Sequence, residues 1–198
     1  MASREHSHPT DYSRTRIRKV DWSTELPTVR RLLSDYRAWL ADHADPSPAA
    51  EPRVRAGLEL MDRLIAGLPG AYGPPRGEVL LAVVEGSIAG CGALRELEPK
   101  VGEIKRVYVR PDHRGPGFGP RFTWALLDRA REMGYERVRV DALPTMAAAI
   151  QFYPEMGFEP IPSFWPHPVT GAHFFEYRLA KPERRPPRHP PPRSGRPR

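Results

Sequence analysis

Between Val107 and Gly119 a strand-like run gives way to a turn holding three glycines, Gly115, Gly117 and Gly119, and then to an amphipathic stretch. Val107, Tyr108 and Val109 read as the end of a strand. Phe122, Leu126, Ala130 and Met133 recur as one face of a helix from about Gly119 to Met133. A strand that feeds a glycine-rich turn and then a helix has few architectural uses. Glycine lets the backbone come close to a ligand. The first N–H groups of the helix lack carbonyl partners and point at whatever sits in the turn, with the helix dipole behind them. That arrangement suits an anion, and Arg114 adds positive charge at its entrance. Glycines alone would fit a plain connecting turn; the arginine, the spacing and the strand-loop-helix context together favour an anion site. Two other phosphate loops fit worse. No Gly-Lys-Ser/Thr closes this one, as a P-loop requires. Pro120 stands where a dinucleotide fingerprint starting at Gly115 would want glycine.

The flanking patterns place this unit in an α/β domain. Thr15 to Val20 alternates as a first strand, and Ser23 or Thr24 is positioned to cap a helix running to about His43. Leu26, Val29, Leu32, Leu33, Tyr36, Trp39 and Leu40 make its apolar face. A second helix is expected from about Arg53 to Leu68. Strands follow over 78–85, 88–97 and 102–109, the first two joined at Glu85-Gly86-Ser87. After the helix at 119–133 come a strand at 137–141, a helix at 146–156 closed by Gly157, and short strands near 159–161 and 173–179. The strand at 102–109 reaches the strand at 137–141 through a helix, which is a right-handed parallel crossover. The expected fold is a mixed, mostly antiparallel central sheet of about seven strands with helices on both faces.

Composition divides the chain. Residues 1–13 are polar and aperiodic and read as a flexible leader, and the folded domain spans 14–180. Beyond it, residues 181–198 are Pro- and Arg-rich and are expected to be disordered. That tail holds seven cations against the single anion Glu183, so most of the net charge of +7 belongs to it and the domain is nearly neutral. The tail lacks aromatic residues for base stacking, so no specific nucleic-acid partner is expected. No apolar run approaches the ~20 residues of a membrane span. With no apolar signal core at the start and Cys91 as the one cysteine, the expected setting is cytoplasmic. The seven histidines show no metal-ligand spacing, so no metal is expected.

Arg114, Gly117 and Gly119 fill the fixed positions of Arg/Gln-x-x-Gly-x-Gly/Ala, and this stretch resembles motif A of the GNAT superfamily of N-acetyltransferases. The resemblance spans roughly Thr15 to Leu179 and is sharpest from Glu103 to Phe158. It implies the acyl-CoA N-acyltransferase fold, with acetyl-CoA as co-substrate and a small-molecule or peptide amine as acceptor. The Val107-Tyr108-Val109 backbone would hold the pantetheine arm. The loop Arg114-Gly115-Pro116-Gly117-Phe118-Gly119 would hold the pyrophosphate. The sheet would part between the fourth and fifth strands, and a homodimer is compatible with such a fold.

A second patch, Ala149 to Phe158, is similar to the family's Ala-x-x-x-Tyr-x-x-x-Gly-Phe. It places Tyr153 where the family's tyrosine protonates the leaving thiolate. Two departures stand out. Met146 replaces the asparagine often found seven residues before that tyrosine, and Pro154 sits inside the expected helix, where it can kink or end it. Glu103, four residues before Val107, has the spacing of the general base in some members. It could equally pair with Lys105, its same-face neighbour. Arg95, Glu96 and the loop Ser163 to Pro168 could border the acceptor, or be solvated and packed surface features. The functional expectation is acetyl transfer from acetyl-CoA to an amine by direct attack in a ternary complex. The alternatives are an acyl-CoA-binding module without turnover and a nucleic-acid-associated protein acting through the basic tail.

Overall fold

A computed structural model describes residues 15–43, 50–114, 118–167 and 169–179. The leader at 1–13 and the tail at 181–198 therefore lie outside the described residues, as do Gly115, Pro116 and Gly117 of the glycine-rich turn. The elements run β1 (Thr15–Lys19), α1 (Leu26–Asp42), α2 (Glu51–Ala66), β2 (Glu78–Val84), β3 (Ser87–Glu98), β4 (Val101–Val109), α3 (Phe118–Glu132), β5 (Arg137–Ala142), α4 (Ala147–Glu155), β6 (Glu159–Pro160) and β7 (His173–Arg178). They form one sheet in the order β1-β2-β3-β4-β5-β7-β6. Every neighbouring pair is antiparallel except β4 with β5. No helix among the described residues is long and apolar enough to cross a membrane.

Two helical layers cover the sheet because its central strands are apolar on both faces. In β2, Leu80, Ala82 and Val84 turn to a core shared with Phe122, Leu126 and Leu127 of α3, while Val79 and Leu81 turn to a core shared with Val29, Leu32 and Leu33 of α1. Such double burial explains why β2 reads as a continuous apolar run rather than an alternating one. Phe122 is fully buried, and burial of a side chain of that size contributes about 2–3 kcal/mol.

Neither Ser23 nor Thr24 caps α1. The Ser23 hydroxyl bonds Asp21 Oδ1 at 2.6 Å, forming a local turn, and the helix starts at Leu26, with Glu25 at the cap position and no side-chain cap bond. The Glu25 carboxylate is drawn instead into a bidentate pair with Arg18 at 2.6 and 2.7 Å. Arg95 and Glu96 also turn away from the expected acceptor region: Arg95 bonds Glu103 and Glu96 pairs with Arg76.

Candidate functional site

The site arises where β4 leaves β5. The two strands pair only at Val101↔Arg137, Gly102↔Val138 and Glu103↔Arg139, although β4 continues to Val109 and β5 to Ala142. The cause is a bulge. The register against β3 skips between Cys91 and Ala93, and Arg106 takes a φ of 59°, a conformation that L-residues disfavour. A bulge adds one residue to one strand, sharpens the local twist and bends the strand away from its neighbour. The edges that no longer meet flank a cleft of about 1370 Å³, bordered by the upper halves of β4 and β5, α1 and α2 on one side and α3 and α4 on the other.

At one end of the cleft lies the start of α3. Phe118 and Gly119 border it, and the Phe118 ring is buried and packed on Phe122. A Cβ on Gly119 would lie 2.9 Å from Phe152 Cε1, so this glycine lets α3 approach α4 closely. Pro120, in the first turn, lacks an N–H where the helix has no internal acceptor to offer. Arg114 does not extend freely. Its Nε donates to the Val109 carbonyl at 3.0 Å, and its guanidinium lies over Trp39 and Tyr108, 5.3 and 5.9 Å from the ring centroids. Val107, Tyr108 and Val109 form the β4 edge along the cleft, with the Tyr108 ring tilted against Tyr36 at 5.5 Å.

Tyr153 lines the cleft from α4. Pro154 does not break the helix before it. The missing N–H falls in the last turn, and α4 runs on to Glu155 before Gly157, at φ 93°, ends it. Phe158 N–H then donates to the Tyr153 carbonyl at 3.0 Å and Gly157 N–H to the Pro154 carbonyl at 2.9 Å, the paired bonds of a Schellman cap. The Tyr153 ring is held by Phe152, Phe158 and Phe175, with centroids 4.6 to 5.5 Å away. Burial raises its hydroxyl pKa well above the ordinary tyrosine value, and the Asp141 charge adds to the effect. Met146 stands at the N-terminal cap of α4 and also borders the cleft.

Glu103 is fully buried and does not border the cleft. Arg95 bonds one of its oxygens at 2.6 Å, and Lys105 stands 3.1 Å from the other, so the same-face pairing with Lys105 is present. Lys105 is the member that reaches the cleft. It bonds Asp141 and lies 4.7 Å from the centroid of the Trp165 ring. Burial alone would raise the Asp141 pKa, yet hydrogen bonding from His167 and the Lys105 charge carry it down to about 2. On the far side of His167, Nδ1 accepts the Val169 N–H at 3.0 Å. Trp165, His167 and Val169 thus bring the loop before β7 to the cleft wall.

Asp141 and Arg106 belong to this site without having been singled out in the sequence, whereas Lys105 was expected only as a partner of Glu103 and His167 only as part of the loop Ser163 to Pro168. A signal existed for Asp141: Arg137, Arg139 and Asp141 alternate with Val138 and Val140, so β5 presents one charged face. None existed for Arg106, because nothing in the sequence marks the bulge that turns it.

The sequence profile of the acetyltransferase (GNAT) family matches residues 26–158. A Schizosaccharomyces pombe protein named as an uncharacterised N-acetyltransferase is 30% identical over 112 residues, 56% of this chain and 69% of that protein. The fold superposes on a Klebsiella pneumoniae protein assigned as an acyl-CoA N-acyltransferase, with a TM-score of 0.60 and 26% identity over 84% of this chain and 98% of the other. It also superposes on the PaiA N-acetyltransferase of Thermoplasma acidophilum, solved with coenzyme A, with a TM-score of 0.61 and 15% identity over 83% and 99% of the two chains.

Proposed function

The chain belongs to the acetyltransferase (GNAT) family, and on that premise we propose that it transfers an acetyl group from acetyl-CoA to an amine by direct attack in a ternary complex. The observation that carries this reading is the parting of β4 from β5 after Glu103 and Arg139. It leaves a strand edge able to bind an extended amide-bearing arm as a further strand would. The start of α3 and Arg114 stand at one end of that edge, suited to a pyrophosphate.

When bound, the coenzyme supplies the activated acetyl thioester, and the protein supplies position and protons. The Val107 to Val109 edge orients the arm and offers backbone N–H groups to a developing oxyanion. Tyr153, kept protonated by burial, donates to the departing sulfur. The acceptor attacks as the free amine, and the proton its nitrogen sheds on forming the amide passes to solvent in the open cleft, from which Tyr153 is reprotonated. Glu103 acts through Lys105: it fixes the cation that in turn fixes Asp141 at the acceptor end. The acceptor is a small-molecule or peptide amine.

Two measurements test the reading. Calorimetry with coenzyme A should show saturable binding, and a thiol-release assay with a panel of amines should show turnover. Absence of coenzyme binding would overturn the site. Binding without thiol release from any amine would leave a coenzyme-holding fold and overturn the transfer.

A further inference from the structure

Arg53, Lys105, Arg106 and Arg114 border the cleft, and three of them have partners. Arg53 donates to Thr170 Oγ1 at 2.9 Å. Lys105 is held by Asp141 and Glu103. Arg114 donates to the Val109 carbonyl. Arg106 differs. Among the described residues it has no anionic partner, and its Nε is buried with no hydrogen bond. A guanidinium that is partly desolvated and lacks a counter-charge is costly unless something else supplies the charge.

Its placement is equally specific. The bulge turns Arg106 out of the strand's alternation at φ 59°. Arg106 borders the same cleft as Lys105 and Asp141, the groups that hold its acceptor end. It precedes the Val107 to Val109 edge, whereas the start of α3 and Arg114 follow that edge. The coenzyme phosphates are therefore expected at the other end. Trp39 and Trp165, which line the same cleft, also carry buried indole N–H groups without acceptors. The unmatched groups bordering this cleft are thus donors, set among the apolar surfaces of Tyr36, Trp39, Leu58 and Trp165. A planar guanidinium fork matches a carboxylate in two parallel hydrogen bonds.

We propose that the acceptor is an amine carrying a carboxylate beside an apolar body, of the kind an apolar amino acid presents, and that Arg106 binds the carboxylate and so determines specificity. This rests on the acetyl-transfer reading above and names its substrate class.

The test compares acceptors that differ only in the carboxylate: phenylalanine with phenethylamine, and tryptophan with tryptamine. Thiol release from acetyl-CoA should favour the amino acids in kcat/KM. Arg106→Gln should lower kcat/KM for them on the order of 10²-fold, mainly through the acceptor KM, and leave the decarboxylated amines and coenzyme A affinity nearly unchanged. Arg106→Lys should recover part of the loss. Equal use of both members of each pair by the unaltered protein would overturn the proposal, whether or not the variants fold. An equal loss for both members on substitution would overturn it as well. Calorimetry of phenylalanine and tryptophan against the protein saturated with coenzyme A separates the two readings. Binding that Arg106→Gln abolishes, with no thiol release from any amine, would sink acetyl transfer and leave the carboxylate site standing. Absence of amino-acid binding and of any carboxylate preference would sink the carboxylate site alone.

Discussion

His167 Nε2 stands 3.4 Å from Asp141 Oδ2, and this contact ties the loop before β7 to the free end of β5. The tie depends on an ionised Asp141. Its pKa is held at about 2, below the ordinary aspartate value of about 4. A carboxyl whose folded pKa is depressed stabilises fully above its unfolded pKa, and that contribution is lost as pH falls through the folded value. Asp141→Asn should therefore cost about 2 kcal/mol at neutral pH. In urea unfolding followed by fluorescence, the gap from the unaltered protein should narrow as pH is lowered from about 4 to about 2. A gap constant across that window would show that the aspartate charge is not what holds the loop.

Glu103 is wedged between Arg95 and Lys105 with none of its side chain facing the cleft. Glu103→Gln would leave Arg95 short of its counter-charge and Lys105 with Asp141 alone, and breaking a buried pair from one side costs about 3 kcal/mol. The expected result is a protein of clearly lower thermal stability. Its kcat/KM profile should keep the acidic limb of the unaltered enzyme. If Glu103 took the amine proton itself, that limb would vanish while stability changed little.

Arg114 combines a hydrogen bond to the Val109 carbonyl with a position over Trp39. Lysine keeps the charge but has no Nε at that point and no plane to stack. Arg114→Lys should weaken coenzyme A binding about tenfold at moderate ionic strength. Arg114→Gln should weaken it further and flatten its dependence on salt. Isothermal titration at two salt concentrations reads both effects. Equal affinity for Arg114→Lys and the unaltered protein would mean that only the charge matters there.

Close packing behind the bulge gives a purely structural prediction. A Cβ on Gly92 would lie 2.8 Å from Phe122 Cε1 and 3.0 Å from Leu126 Cδ1, both in a fully buried layer. Gly92→Ala should lower stability by about 1–3 kcal/mol, as overpacking does. Adding Phe122→Leu should recover part of that, because the two changes meet at one contact. Strict additivity of the two in urea unfolding would refute the clash.

Much of the fold could be read in advance because its signals are local or periodic. The doubly apolar run of β2, the amphipathic spacing of α1 and α3 and the turn at Glu85-Gly86 each depend on a few neighbouring residues. The cap of α1 misled because Ser23 had a nearer competitor in Asp21, which took its hydroxyl into a turn. Lys105 meets Glu103 from two residues along the same strand, as spacing suggests, but Arg95 reaches it from β3 through sheet register, which spacing along a single strand cannot report. Arg106 was illegible for a sharper reason. Only the bulge decides which face it joins, and the bulge follows from how β3 and β4 twist together.

Tyr153 offers the most direct probe of the chemistry. Its ring is packed by Phe152, Phe158 and Phe175, so Tyr153→Phe keeps the shape and should fold normally. Burial holds the hydroxyl protonated across the neutral and mildly alkaline range, so it can act as a donor but not as a base there. If it protonates the departing thiolate, the phenylalanine variant should lose on the order of 10²-fold in kcat while its affinity for acetyl-CoA is unchanged. The loss should shrink for an acyl donor whose thiol is more acidic, because such a sulfur departs with less help. A kcat that holds steady on substitution would remove Tyr153 from the reaction and leave it a packing residue of the cleft wall.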